Sequence, residues 1–316
     1  MSAPRIAIVG AGVAGLACAR VLSGAGLSPV IFDKSRGVGG RLATRRAEGG
    51  LQFDHGAPAI AAHEPMFAAE VQAATRAGAL TAWPDAGPTS YVGQPGMSGF
   101  ARHLALGLDI RHAETATQVS VETGQVALHF ADEVLRFDQV ILALPAPQIL
   151  RLIGADHGLS SALSRAQMSP CLTLMAALLP GLVADLPARV QNADEDGLQT
   201  ILCDSAKPGR SSQAGQAWVA HAGQTLTRQH LEAPAEEIAA QMLPHLTKAL
   251  GCDRAQIHYA VAHRWRYARV SHALGQAYVS DVSGRLHCAG DWCLGPDAQD
   301  AWTSGAALGR AVLAGA

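Results

Sequence analysis

The apolar run Ile6-Ala7-Ile8-Val9 breaks directly into Gly10-Ala11-Gly12-Val13-Ala14-Gly15, and a second run, Ser28 to Phe32, delivers a carboxylate at Asp33. Strand, glycine turn, helix and strand in that order specify a βαβ unit whose helix N-terminus receives an anion. Gly10 permits the tight turn from strand to helix, Gly12 lets the backbone approach a pyrophosphate, and Gly15 lets the helix lie close on the strand. Unpaired N–H groups and the positive end of the helix dipole then point at the anion. Asp33 sits where a carboxylate accepts hydrogen bonds from adenosine ribose hydroxyls, which favours a dinucleotide without a 2′-phosphate. The bland alternative is a glycine-rich turn that binds nothing.

A second glycine-rich turn, Lys34-Ser35-Arg36-Gly37-Val38-Gly39-Gly40-Arg41, follows the first unit. It reads either as a continuation of the phosphate site or as a solvated surface loop. Residues Gln118 to Val121, Val126 to Phe130 and Val134 to Phe137 read as a meander leading into Val140-Ile141-Leu142-Ala143-Leu144, a continuously apolar, buried strand ended by Pro145. Beyond about Leu150, amphipathic helices (Ser160 to Gln167, Pro234 to Ala249) alternate with strands (Cys171 to Leu178, Trp218 to Ala222, His258 to Trp265), so a second lobe is expected. Near the C-terminus, Leu286-His287-Cys288-Ala289 reads as a last buried strand ending in Gly290-Asp291, before a closing helix over Trp302 to Ala314. Ligands of open α/β sheets bind outside the carboxyl ends of the strands, which puts Gly290-Asp291 beside the N-terminal glycines. Both ends of the chain are expected to build one site.

The remaining classes are excluded more simply. A net charge of −2 over 316 residues, with no basic cluster beyond Arg41 to Arg46, does not suit a nucleic-acid partner. No apolar stretch approaches the roughly 18 residues that a membrane span needs, and the glycine-broken N-terminus is no signal peptide. Six scattered cysteines without a CxxC pair, and thirteen histidines without HExxH, give no metal site and suit buried thiols of a reduced, cytoplasmic protein.

More specific strings follow in order: Tyr91-Val92-Gly93-Gln94-Pro95-Gly96-Met97-Ser98, Lys207-Pro208-Gly209-Arg210, Trp218-Val219-Ala220-His221-Ala222, His263-Arg264-Trp265-Arg266-Tyr267-Ala268-Arg269, Gly290-Asp291-Trp292-Cys293-Leu294 and Ala301-Trp302-Thr303-Ser304-Gly305. With these the chain resembles the bacterial renalase family, within the flavin-dependent amine oxidase superfamily, over essentially its whole length. The resemblance implies an α/β fold: a Rossmann-like FAD-binding domain of glutathione-reductase and amine-oxidase type (1–62, 96–150 and 275–316), with a second α+β substrate domain (63–95 and 151–274). It implies FAD contacts from Gly10, Gly12, Val13, Ala14, Gly15, Asp33, Lys34, Gly40, Arg41, Gly290, Asp291 and Ala301. Val119 would touch the adenine side through its backbone, and Gly56 and Ala57 would approach the flavin ring. The implied activity is oxidation of misreduced dihydro isomers of NAD(P)H to NAD(P)+, with O2 as acceptor giving H2O2. An amine oxidase or desaturase on the same scaffold, or a flavin-binding protein of low turnover, are the alternatives.

The chain departs from the family pattern twice. Pro58-Ala59-Ile60 follows the Gly-Ala pair where relatives carry polar and aromatic residues, and Gln299-Asp300-Ala301 replaces a Glu-Gly-Ala turn. Asp300 would either oppose the negative charge of a reduced flavin or serve as a helix N-cap turned outward. Hydride transfer from a dihydropyridine needs positioning more than acid or base, so no catalytic triad is expected. Trp265 and Tyr267 alternate with Arg264 and Arg266 and would line a pocket with aromatic faces, or fill the core. His221 is either a satisfied core histidine or a substrate hydrogen-bond partner, Trp302 walls the flavin or only packs, and Met97 fills a gap or lines the pocket.

Overall fold

A computed structural model describes residues 3–192 and 197–315. Its centre is a six-stranded sheet in the order 279–280, 286–288, 139–142, 6–9, 30–33 and 109–112, parallel except at the edge strand Val279–Ser280. Ile6, Ala7 and Ile8 are almost wholly excluded from solvent, as a parallel strand covered on both faces requires. The helix Val13–Gly24 crosses one face, and the closing helix Ala298–Ala314 lies directly on it. Small residues make that approach possible: a Cβ on Gly305 would stand 2.0 Å from the Ala14 carbonyl oxygen, and one on Gly309 3.0 Å from that of Cys18. The first and last helices of the chain are thereby packed as neighbours.

The antiparallel meander 118–122, 125–129 and 134–137 forms as expected, and its Phe130 and Phe137 close over Phe32 at 5.0 and 5.9 Å between ring centroids. A small sheet ordered 60–61, 90–93 and 80–82, with the helix Pro65–Arg76, shares a hydrophobic core with Leu16, Phe100 and Trp302.

The second lobe is built on an antiparallel sheet in the order 189–191, 198–203, 217–222, 167–178 and 257–272. Helix Ala235–Leu250 covers one face with Ile238, Met242 and Leu246 against Leu174, Trp218 and Ala262. The opposite face, carrying Met175, Ala177 and Val219, turns to Phe53 of the first lobe. The two long strands run further than their apolar runs suggest, to Gln167 and His272, because they pair with each other through a register shift between Ser169 and Cys171. Pro170, which has no N–H to give to the ladder, occupies that shift. The closing helix likewise starts at Ala298, earlier than Trp302, because Asp297 and Asp300 form a reciprocal capping box.

Candidate active site

The glycine turn leaves an opening of defined shape. Gly10, at φ +109°, lies so close to the neighbouring strand that a Cβ would meet the Ala143 carbonyl oxygen at 2.5 Å, and a Cβ on Gly15 would stand 2.0 Å from that of Gly10. A Cβ on Gly12 would meet no protein atom within 4 Å. Gly10 and Gly15 are thus set by packing, whereas Gly12 borders open space in front of the first N–H groups of helix Val13–Gly24, including those of Val13 and Ala14. The second glycine turn closes on the first: Gly39 N–H donates to the Ala11 carbonyl at 2.9 Å, and a Cβ on Gly40 would come 3.9 Å from Gly12 Cα.

Asp33 serves the loop as well as any ligand. Its Oδ2 accepts the Ala11 N–H and its Oδ1 the Ser35 N–H, both at 2.7 Å, which ties the glycine loop to the second strand. Each oxygen keeps a lone pair free for a ribose hydroxyl. Lys34 follows it on the exposed rim, and Val119 is buried in the cluster that contains Phe32.

The other chain end arrives at the same place. Arg41 forms two parallel hydrogen bonds to Asp291, Nη1 to Oδ2 at 2.6 Å and Nη2 to Oδ1 at 2.7 Å, and its Nη1 also donates to the Ala268 carbonyl at 3.1 Å. Ser304 Oγ accepts the Gly290 N–H at 2.9 Å and fixes the strand end to the closing helix, whose first turn contains Ala301. Gly56 packs on the Arg41 backbone, where a Cβ would meet the carbonyl oxygen at 2.0 Å, and Ala57 N–H donates to that oxygen at 2.8 Å. The residues expected from both termini therefore surround one seam between the lobes.

An aromatic group gathers around His55, the residue before Gly56. Trp265 Nε1 donates to the His55 carbonyl at 2.9 Å, and the two rings stack at 5.3 Å and 25°. The His263 ring lies 4.8 Å from His55 and 4.4 Å from Trp265. His221 is buried one strand away, across from Thr173, which in turn pairs with His263. Tyr267 leaves this group: its hydroxyl accepts from Arg151 Nη2 at 2.8 Å. Arg266 turns to the opposite face and forms two hydrogen bonds with Glu232, to which Arg264 is also adjacent.

A model of the NAD(P)-binding Rossmann-like domain matches residues 8–70, and one of flavin containing amine oxidoreductases matches residues 70–315. The chain belongs to the flavin containing amine oxidoreductase family. It is similar to renalase from Mus musculus at 25% identity over 317 aligned residues, covering 89% of this chain and 88% of the relative. Among solved structures it superposes on a candidate protoporphyrinogen oxidase from Exiguobacterium sp. 255-15 with a TM-score of 0.81 at 13% identity, covering 100% of both chains. It also superposes on a fatty acid isomerase from P. acnes that produces CLA, with a TM-score of 0.71 at 14% identity, covering 98% of this chain and 99% of that one. The protein is an FAD-dependent oxidoreductase.

Within this amine oxidoreductase the imidazoles of His55, His221 and His263 are uncharged at neutral pH. Burial, then the neighbouring His263, brings His55 down to about 4. Burial, then Arg269 and Lys207, brings His221 down to about 3, and burial with Arg45 lowers His263. Trp302 is buried against Phe67 at 5.8 Å, with an Nε1 that has no acceptor among the described residues. Met97 is fully buried, its sulfur accepting the Gly93 N–H at 3.1 Å. Asp300 is part of the helix cap, but as the third helical residue: its Oδ2 accepts the N–H of Asp297, the N-cap itself, at 2.9 Å.

One feature of the site could not be assembled from the sequence. Asp54, immediately before His55, belongs to a buried ionic quartet with Asp204, Lys207 and Arg210. Lys207 Nζ lies 3.0 Å from Asp54 Oδ2 and 2.5 Å from Asp204 Oδ1, and Arg210 Nη2 lies 2.7 Å from Asp54 Oδ2. Burial alone would raise the Asp54 carboxyl, but Lys207 and Arg210 outweigh it and hold it below the usual carboxylate range. At Asp204 burial prevails over Lys207 and raises the carboxyl. The quartet bonds the second lobe to the strand Gln52–Asp54, which leads directly into His55 and Gly56. Its only signal in the sequence was Lys207-Pro208-Gly209-Arg210, a string with no role assigned.

Proposed function

We propose that this FAD-dependent oxidoreductase oxidises misreduced dihydro isomers of NAD(P)H. One isomer, one O2 and one proton give one NAD(P)+ and one H2O2. When bound, FAD supplies the two-electron acceptor for the hydride. The chain's own residues hold and orient. Gly12, Val13, Ala14 and Gly15 offer space and N–H groups to a pyrophosphate, Gly10 shapes that turn, and Asp33 has lone pairs for the ribose. Gly40, Arg41, Gly290, Asp291 and Ala301 frame the flavin end, with Gly56 and Ala57 against the ring. Trp265 offers an indole face for a dihydropyridine to stack on, held in orientation by the His55 carbonyl.

The observation that carries this reading is the uncharged wall of His55, His263 and Trp265. A dihydropyridine expels hydride as its ring aromatises and needs positioning rather than a base, which a wall of uncharged rings supplies. Asp54 and Asp291, the carboxylates of this seam, are already paired with lysine or arginine. The likeness to renalase supports the same choice. In air, the flavin-loaded protein is expected to release one H2O2 per isomer oxidised. Peroxide with amines and none with the isomers would favour an amine oxidase, and none with either a flavin-binding protein of low turnover.

A further inference from the structure

Most charges around His55 and Arg41 are paired, and two arginines close to them are not. Asp54 and Asp204 balance Lys207 and Arg210, Arg41 balances Asp291, and the imidazoles are neutral. Arg45 and Arg269 remain, both exposed, and neither has a carboxylate within salt-bridge distance among the described residues. Each stands beside residues of the seam. Arg45 pairs across its ladder with Phe53, two residues before His55, and the Phe53 ring stacks on Tyr259 of the second lobe at 5.1 Å. Arg269 lies on the second-lobe strand directly after Ala268, whose carbonyl receives Arg41. The charge of Arg45 is felt at His55 and His263, and that of Arg269 at His221. Arg266, three positions away on the same strand, is by contrast neutralised by Glu232.

We propose that Arg45, beside Phe53 of the first lobe, and Arg269, on the long strand of the second, are an anion handle that selects phosphate-bearing dihydronicotinamides, mononucleotide or dinucleotide, over the bare riboside. The inference rests on the dihydronicotinamide reading above and names the part of the substrate that the ring-side residues do not reach. A nucleotide whose base stacks on Trp265 would carry its 5′-phosphate one sugar away from the ring, where these two exposed guanidinium forks would receive it. Guanidinium matches phosphate through paired hydrogen bonds, and two arginines without a carboxylate partner supply local positive charge that attracts it.

The test compares a misreduced dihydronicotinamide riboside with its 5′-mononucleotide on the flavin-loaded protein. The kcat/KM ratio of mononucleotide to riboside is expected to be about tenfold or more. It should shrink with added salt, fall several-fold in Arg45→Gln and in Arg269→Gln, and approach one in the double variant. In parallel, oxidised nicotinamide mononucleotide and nicotinamide riboside are titrated by tryptophan fluorescence. A wild-type ratio near one, in turnover and in binding, overturns the handle while leaving the dihydronicotinamide reading intact. Phosphate-dependent binding without oxidation of either compound overturns that reading and keeps the handle. Loss of FAD from the variants with an unchanged ratio would assign the arginines to the cofactor and overturn the proposal.

Discussion

Arg41 and Asp291, 250 positions apart in the chain, meet through two parallel hydrogen bonds of 2.6 and 2.7 Å. This pair joins the glycine-rich turn after the first βαβ unit to the short helical turn Asp291–Cys293 that follows the last strand of the same sheet. It closes the seam on which the flavin reading depends. Arg41→Lys keeps the charge but cannot form the fork, and Asp291→Asn leaves a guanidinium without its counter-ion. Each is expected to weaken FAD binding by at least about tenfold and to lower stability by about 1–3 kcal/mol. Flavin fluorescence titration of apoprotein, with thermal melting alongside, measures both. Unchanged FAD affinity in both variants would remove the pair from the site.

Gly12 and Gly15 separate binding from folding. A side chain at Gly12 meets open space in the protein, whereas one at Gly15 collides with the Gly10 carbonyl oxygen at 2.0 Å. Gly12→Val should therefore give a folded, colourless protein with wild-type circular dichroism, because the new side chain occupies only the room meant for a pyrophosphate. Gly15→Val should cost more than about 3 kcal/mol and fail to accumulate as soluble protein. Yellow Gly12→Val protein would contradict the pyrophosphate assignment.

Trp265→Ala removes the indole that stacks on His55 and donates to its carbonyl. FAD content should stay near one per chain, while KM rises or flavin reduction slows by about tenfold or more, the scale of a lost aromatic contact with its hydrogen bond. Stopped-flow traces that overlay those of wild type would take Trp265 out of the pocket.

The buried imidazoles predict a direction for acid stability. His55 and His221 titrate at about 4 and about 3 in the folded protein, below the ordinary 6.5. The unfolded chain thus takes up protons first as pH falls, so their contribution is complete above about 6.5 and lost between there and about 3. His221→Asn, which cannot titrate, should narrow the difference in melting temperature between pH 7 and pH 5. Over that same range, activity should show no ionisation from either histidine. An unchanged pH difference in the variant would place the proton uptake elsewhere.

What could be read from the sequence follows from how local each signal is. Gly10 to Gly15, Asp33, the meander and Gly290-Asp291 are short strings whose geometry is set by their own residues and by burial, so their positions followed from pattern alone. The approach of Gly290-Asp291 to the N-terminal glycines followed from a rule about strand ends, but the pairing of Asp291 with Arg41 did not. The quartet of Asp54, Asp204, Lys207 and Arg210 draws on segments 150 or more positions apart, and no periodicity announces a buried charge. Likewise His55 gains meaning only from Trp265 and His263 folded over it. Alternation along the strand separated Trp265 from Arg264 and Arg266, but it could not show Tyr267 reaching for Arg151 beside the shift at Pro170.

Anaerobic mixing of the flavin-loaded protein with separated dihydro isomers of NADH and NADPH, beside a panel of primary and secondary amines, tests the central claim most directly. The account predicts that at least one isomer bleaches the yellow flavin within seconds and is recovered as NAD+ or NADP+, while the amines leave the spectrum unchanged. Bleaching by an amine, with every isomer inert, would contradict it.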